Sequence, residues 1–250
     1  HLEGPVVNGT SFMNERDHDR KQVAVSAGLV ALGTITSRGL GFLRDMITAH
    51  YFDRTATDAF YVAFRLPNLF RRLFGEGALT VSFIPVLSDF LKNDDKKGAR
   101  ELVSAVFTLL FIALSVLTVL GTVFAGPIVT ALARGDGFTQ VPGKLDLTIH
   151  QTEIMFCYIL LVSLYAYGMG ILNTLRIFWL PAVAPALWNL AVIIGILFFR
   201  KFFTISSDVL AWSTIVGGIL QGAILIPSLK RNDFIPHFRK FWGNPAVKRV

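Results

Sequence analysis

The sequence predicts an all-α, polytopic membrane protein with six transmembrane helices. Of its 250 residues, 53% are hydrophobic and only 16% are charged, whereas roughly a quarter of the residues in soluble domains are charged. Four uncharged runs reach the roughly 20 residues that a helix needs to cross the hydrocarbon core. Two further apolar stretches are long enough to cross but carry charges inside them.

The six predicted helices follow one another along the chain, and the first two are the charged ones. Residues 1–22 ahead of them are interpreted as an N-terminal tail, in which residues 1–12 either belong to an upstream segment or were added before a start at Met13. Residues 230–250 mix aromatic and basic side chains, which is typical of a segment at the cytoplasmic interface that leads towards further helices. The helices are predicted at 23–51, 59–90, 102–133, 150–175, 177–199 and 209–229.

The basic residues are unevenly divided between the two ends of the predicted helices. With six crossings, fourteen of the 24 Lys and Arg residues fall on the side of the N-terminus and five on the other side. Cytoplasmic loops carry such an excess, so both chain ends are predicted to lie in the cytoplasm. The net charge of +7 is therefore attributed to membrane orientation and not to nucleic-acid binding. The five basic residues predicted on the side opposite to the N-terminus are Arg54, Arg134, Lys144, Arg200 and Lys201.

Motifs of enzymes and of metal sites are missing from the sequence. Cys157 is the single cysteine and lies in an apolar run, so it is interpreted as a small core residue. The histidines show no HExxH spacing, and neither a complete phosphate-binding loop nor a GxSxG elbow is found. We therefore predict no catalytic residue, no metal site and no cofactor.

A polar stripe runs along the second predicted helix. Its five members lie on one narrow face when each residue advances the helix by about 100°. Pro67 lies between the charges and predicts a bend, and Arg71 points roughly 100° away from the stripe. The members of the stripe are Asp58, Arg65, Asn68, Arg72 and Glu76.

The first predicted helix repeats this arrangement. Arg38 and Asp45 share a face, and Arg44 lies about a third of a turn away from it. A rise of about 1.5 Å per residue from Val23 places Arg38 roughly 20 Å into the membrane and Arg44 deeper. The charges of the first two helices are therefore expected to meet.

The arginines in these two helices need a partner. Each arginine near the bilayer centre costs about 2.5–3.5 kcal/mol, so all five are expected to face protein or water. Asp45, Asp58 and Glu76 can neutralise three of them, and the surplus favours a bound anion, because a guanidinium fork suits phosphate oxygens. We predict a water-filled cationic cavity for a pyrophosphate or a carboxylate. The alternative is that the arginines are structural, closing salt bridges between the two helices or snorkelling to an interface.

Three segments carry a resemblance to a known family: "SRGLGFLRD", "TDAFYVAFRLPNLFRRLFGEGALTVSFIPVL" and "GILNTLRIFWLPAVAPALWN". From about Met13 to Val250 the chain resembles the MurJ (MviN) lipid II flippases of the multidrug/oligosaccharidyl-lipid/polysaccharide exporter superfamily. The resemblance implies one lobe of a two-lobe, alternating-access transporter in the bacterial inner membrane. That transporter moves undecaprenyl-diphosphate-linked peptidoglycan precursor from the cytoplasmic to the periplasmic leaflet. The chain matches the N-terminal lobe, and the C-terminal lobe is missing from it.

The resemblance also implies roles and partners. The partners are lipid II, membrane lipids and a C-terminal lobe, with no nucleic acid. Two alternatives stay open, an exporter of another polyprenyl-diphosphate glycan and a non-transporting membrane scaffold. In a scaffold, carboxylates would satisfy all the guanidinium groups and seal the interface between the first two helices. The residues expected to bind the lipid II diphosphate are Arg38, Arg44, Arg65, Arg72 and Asn68, and those expected to support them are Asp45, Asp58, Arg71 and Glu76.

Overall fold

The computed structural model describes residues 9–73, 77, 81–133 and 140–240, with side chains from Gly28 onward except that of Arg71. Every regular element within these ranges is a helix. The α-helices described are α1 (Gly9–Tyr51), α2 (Arg54–Arg72), α3 (Ile84–Lys92), α4 (Lys96–Val123), α5 (Ala125–Leu132), α6 (Lys144–Thr174), α7 (Trp179–Ile194), α8 (Asp208–Ala223) and α9 (Ile226–Arg231).

Four helical segments are long and apolar enough to cross a membrane. They correspond to the four uncharged runs of the sequence, and each exceeds the roughly 20 residues that a crossing requires. The chain is therefore an all-helical, multi-pass membrane protein. The four segments are Lys96–Val123, Lys144–Thr174, Trp179–Phe202 and Asp208–Arg231.

The first helix is much longer than predicted. Instead of a tail over residues 1–22 and a helix from Val23, α1 continues without interruption from Gly9 to Tyr51. The last part of the polar segment that precedes Val23 contains Arg20, Lys21 and Gln22, which are good helix formers. Extending an existing helix by such residues costs little, because the unfavourable nucleation step has already occurred.

The predicted second helix, 59–90, is not one continuous α-helix. It divides into α2 and α3, and Val81–Phe83 between them form a π-helical turn. Asp53 caps α2 by accepting a hydrogen bond from the Ala56 N–H at 2.9 Å. The α-helix continues through Pro67 and ends at Arg72, whereas α3 begins next to Pro85, whose missing N–H suits a first helical turn.

Two other membrane segments are interrupted shortly before a proline. Phe124 separates α4 from α5, three residues ahead of Pro127, and Leu225 precedes α9, in which Pro227 occupies the first turn. Proline cannot donate to the preceding turn, so an α-helix restarts there more readily than it continues. A π-helical turn over Gly195–Phe199 follows α7.

Helix α6 lies at the centre of the bundle. It packs against α2, α4 and α8, whereas α1 packs mainly against α7. The Tyr167 side chain of α6 is fully buried and donates a hydrogen bond of 2.7 Å to the Val103 carbonyl of α4. Since α1 and α2 have different main partners, they have few contacts with each other.

After α9 the chain turns back and lies extended along α4. We call residues 234–240 the strap. Asp233, with a φ of 60°, makes the turn. The strap then donates two backbone hydrogen bonds to hydroxyls of α4, from the His237 N–H to Ser104 at 3.3 Å and from the Arg239 N–H to Thr108 at 2.9 Å. The segment predicted at the interface is therefore attached to the bundle over its described part.

Candidate functional site

Arg44 of α1 is the centre of a polar network inside the bundle. Its Nε and Nη2 donate to Asp45 Oδ1 at 3.1 and 2.7 Å, and its Nη1 donates to Asn189 Oδ1 of α7 at 3.0 Å. The guanidinium group also stands 4.5 Å from the centre of the Trp188 ring, at the distance of a cation–π contact. Only 17% of the Arg44 side chain is exposed, so its orientation is held from three sides.

Close packing between α1 and α7 brings Asn189 within reach of Arg44. Gly33, Ser37 and Gly41 are spaced four residues apart and form a small-residue face of α1. A Cβ atom at Gly33 would lie 3.3 Å from the Ala182 carbonyl carbon, and one at Gly41 would lie 3.5 Å from Asn189 Nδ2. The two backbones are close enough for Asn189 Nδ2 to donate to the Ser37 carbonyl at 3.0 Å.

Asp45 connects this network to α2. Its Oδ1 accepts a hydrogen bond from the Tyr61 hydroxyl at 3.1 Å, in addition to the two bonds from Arg44. Beside this contact lies an open cavity of about 300 Å³ between the end of α1 and the start of α2, lined by Asp45, Tyr61, Thr48, Thr57 and Arg54 among others. The half-exposed Asp45 carboxylate is thus accessible from this cavity.

Three of the predicted binding residues are cations on accessible surfaces of α1 and α2. Arg38, Arg65 and Arg72 all have exposed side chains, and none of them forms an ion pair within the described part of the chain. Asn68 on α2 is half-buried and bonded. Glu76 and the side chain of Arg71 lie outside what the structure describes.

Asp58 pairs with a lysine, contrary to the expectation that it would neutralise an arginine. Lys144, predicted to lie in an exterior loop, is the first residue of α6, and its side chain is only 8% exposed. Its Nζ lies 2.8 Å from Asp58 Oδ2. The pairing follows from the packing of α2 against α6, which brings the start of each helix together.

The charges described leave a positive excess on α1 and α2. Asp45 neutralises Arg44, and Asp58 neutralises Lys144, so neither carboxylate is available to the three exposed arginines. The sealed interface expected of a scaffold, in which carboxylates satisfy all the guanidinium groups, is not found among the described residues. Multiple guanidinium groups without carboxylates can bind a phosphate-bearing anion. No group of three or more potential metal ligands occurs in the described ranges.

Three residues of this network were not predicted from the sequence. They are Tyr61, Trp188 and Asn189, each of which contacts Arg44 or Asp45. The available signal was Asn189, an isolated amide in the apolar segment "PALWNLAV", because a polar side chain within a membrane helix usually has a partner on another helix.

Comparison with known proteins gives the same family at the level of sequence and of structure. The sequence profile of the family described as lipid II flippase MurJ matches residues 47–250. A probable lipid II flippase MurJ of Bdellovibrio bacteriovorus is 44% identical over 234 residues, which are 93% of this chain and 44% of that protein. Lipid II flippase MurJ of Burkholderia cenocepacia is 40% identical over 225 residues, 87% of this chain and 43% of that protein.

A solved structure with the same fold is lipid II flippase MurJ in an inward closed conformation. It matches with a TM-score of 0.70 and 27% sequence identity, over 88% of this chain and 45% of that chain. The present chain therefore spans less than half of the length of these relatives and matches their N-terminal half. The profile match over most of the chain shows that it belongs to the lipid II flippase MurJ family.

Proposed function

We propose that the chain is the N-terminal, six-helix part of a lipid II flippase, and that its arginines bind the diphosphate of the substrate. The observation that carries this proposal is the set of exposed arginines on α1 and α2, Arg38, Arg65 and Arg72, which have no carboxylate partner among the described residues. Membrane helices tolerate such charges only beside protein, water or a counter-ion. A diphosphate supplies that counter-ion.

The network around Arg44 supports a division of roles within the site. Arg44 is held by Asp45, Asn189 and Trp188, so it can present a fixed positive charge without a large reorganisation when the anion arrives. Arg38 and Arg65 have no such restraints in the described structure and are free to form bidentate contacts with phosphate oxygens. Asn68 on the face of Arg65 and Arg72 supplies an amide for the head group.

The proposed cycle is alternating access between this lobe and a second one. The lipid II head group enters the cationic cavity from the cytoplasmic leaflet, while the undecaprenyl tail remains in lipid. Rocking of the two lobes about the site then exposes the head group to the periplasm. The excess of Lys and Arg on the side of the chain ends supports a cytoplasmic location for both of them.

The test is binding of lipid II to the purified chain, measured by native mass spectrometry. We compare the wild type with an Arg38→Ala/Arg65→Ala variant and with Lys201→Ala, which removes an exposed charge outside the site. The wild type and Lys201→Ala are expected to retain lipid II. The double variant is expected to lose affinity by at least about tenfold, because each charge-assisted hydrogen bond contributes about 1.5–3 kcal/mol.

The other outcomes are equally informative. Equal retention by the double variant would rule out the arginines as the diphosphate site. Stronger retention of a different polyprenyl-diphosphate glycan would assign the chain to an exporter of that glycan. If the wild type binds neither lipid, the measurement is repeated on the chain joined to the second half of a relative, and failure there would exclude the proposed substrate.

A further inference from the structure

A second cavity lies away from the arginines, between α4, α6, α8 and the strap. Its volume is about 400 Å³, within the range of about 300–1,000 Å³ that is typical of small-molecule sites. Its wall is apolar and includes Phe107, Ile171, Leu225 and Ile235. No residue of α1 or α2 contributes to the wall, so binding of a ligand in this cavity does not depend on the proposed flippase activity.

The polar groups in this wall are already occupied. Tyr165 donates to the Pro181 carbonyl at 3.0 Å, and Tyr167 donates to the Val103 carbonyl at 2.7 Å. Neither hydroxyl hydrogen is therefore available to a ligand in the cavity. An occupant must accordingly be apolar over the part that enters, because a buried polar group without a partner is costly.

Glycine keeps part of the cavity open. A Cβ atom at Gly222 of α8 would meet no heavy atom within 4 Å, and Gly222 is one of the lining residues. A larger side chain at this position would therefore extend into open space and not into the neighbouring helix. The site can be filled by substitution without repacking α8.

Positive charge lies at the end of α9, whose residues Ile226 and Leu229 line the cavity. Lys230 comes one helical turn after Ile226 and lies on the same face, and Arg231 ends the helix. Both side chains are exposed and form no ion pair with other described residues. The neighbouring cations differ in this respect, because Arg100 is bound to Asp233 at 3.2 Å and Arg239 to Glu101 at 3.1 Å. The charge beside the cavity therefore complements an anion.

We propose that this cavity binds one acyl chain of an anionic phospholipid, with its headgroup phosphate on Lys230 and Arg231. An acyl chain satisfies the apolar wall, because its methylenes can fill the cavity and make van der Waals contacts with the lining side chains. Cations at the cytoplasmic end of a membrane helix attract anionic headgroups, which are enriched in that leaflet. The two features together select a lipid that carries both an acyl chain and a negative headgroup.

The experiment measures retention of phosphatidylglycerol and phosphatidylcholine with identical acyl chains by the purified 250-residue chain, again by native mass spectrometry. Gly222→Leu fills the cavity, and its matched control is Gly126→Leu, because Gly126 on α5 also has open space around its Cβ position. Lys230→Gln/Arg231→Gln removes the charge, and Lys96→Gln/Lys97→Gln at the start of α4 is its control.

We expect the wild type and both controls to retain one phosphatidylglycerol in preference to phosphatidylcholine. Gly222→Leu should lower retention of both lipids by about tenfold. The Lys230→Gln/Arg231→Gln variant should lower retention of phosphatidylglycerol alone by about tenfold, which removes the preference for it. Unchanged retention in Gly222→Leu would overturn the cavity as the site. Equal retention of both lipids by the wild type, or an unchanged preference in the Lys230→Gln/Arg231→Gln variant, would overturn the assignment of the ligand.

Discussion

The Asn189 amide of α7 bonds to α1 at both of its ends. Its Oδ1 accepts from Arg44 and its Nδ2 donates to the Ser37 carbonyl, at 3.0 Å in both cases. The two bonds use both ends of the amide group, so no other side chain of the same size could replace it without losing one of them. Asn189 thereby fixes the Arg44 charge together with Asp45 and Trp188.

We therefore predict energetic coupling between Arg44 and Asn189. In a double-mutant cycle with Arg44→Ala and Asn189→Ala, the free energy of unfolding in detergent should show a coupling of at least about 0.6 kcal/mol, the average for hydrogen bonds between membrane helices. Each single substitution should destabilise the chain, whereas the second one should cost less once the first is present.

The control cycle combines Arg44→Ala with Asn232→Ala. Asn232 follows α9 and bonds only to the Ser228 carbonyl within its own turn among the described contacts, so the two changes should be additive within about 0.5 kcal/mol. Additivity in the Arg44/Asn189 cycle as well would mean that the contact contributes nothing in solution.

Individual residues could be predicted where chemistry alone identifies them. The arginines were recognisable because a charge within an apolar run has few explanations. Their partners were not, since the choice of Lys144 over an arginine for Asp58 depends on which helices pack together. Spacing along one helix shows which side chains share a face, but it contains no information on the helix opposite.

At the scale of helices, glycine determines how closely neighbours approach. A Cβ atom at Gly217 of α8 would lie only 3.0 Å from the Trp188 Cα atom of α7, whereas one at Gly222 of the same helix would be in open space. Gly217 is therefore one point at which the backbones of α7 and α8 approach closely. Trp188, which lies at this position, also makes the cation–π contact with the Arg44 guanidinium group.

This difference predicts opposite effects of the same substitution. Gly217→Ala should destabilise the chain by about 1–3 kcal/mol, because the added methyl group forces two backbones apart. Gly222→Ala should be neutral or stabilising by up to about 1 kcal/mol, because alanine is the better helix former. Unfolding in detergent measures both, and equal destabilisation by the two changes would contradict a close backbone approach at Gly217.

The helices themselves were predictable to different extents. The four uncharged segments were predicted from length and hydropathy alone, and the structure has an apolar helical segment at each of them. The extension of α1 to Gly9 and the division between α2 and α3 were missed. The extension adds polar residues that have no hydrophobic period, and the division depends on local hydrogen bonding that hydropathy does not report.

For the whole molecule, the unequal number of Lys and Arg residues on the two sides of the predicted helices leads to a prediction about its orientation in the membrane. Lys201, after α7, and Lys230, at the end of α9, should lie on opposite sides of the membrane. Each is replaced by cysteine in a Cys157→Ser background, because Cys157 is exposed on α6 and not part of the core as the sequence suggested.

A membrane-impermeant thiol reagent applied to spheroplasts should label Lys201→Cys directly. Lys230→Cys should be labelled only after the membrane is opened, because the larger number of basic residues is expected in the cytoplasm. The parent Cys157→Ser chain, which has no thiol, is the control for background. Labelling in the reverse order would contradict the proposed topology. It would also reverse the side from which the head group enters the proposed cationic cavity.

The strap has a mechanical consequence for anything attached beyond Lys240. Its His237 and Arg239 amides donate to side-chain hydroxyls of α4, so these two hydrogen bonds attach the strap directly to that helix. A pull on the chain beyond Lys240 is thus transmitted sideways to α4, the helix next to α6, before it reaches α9.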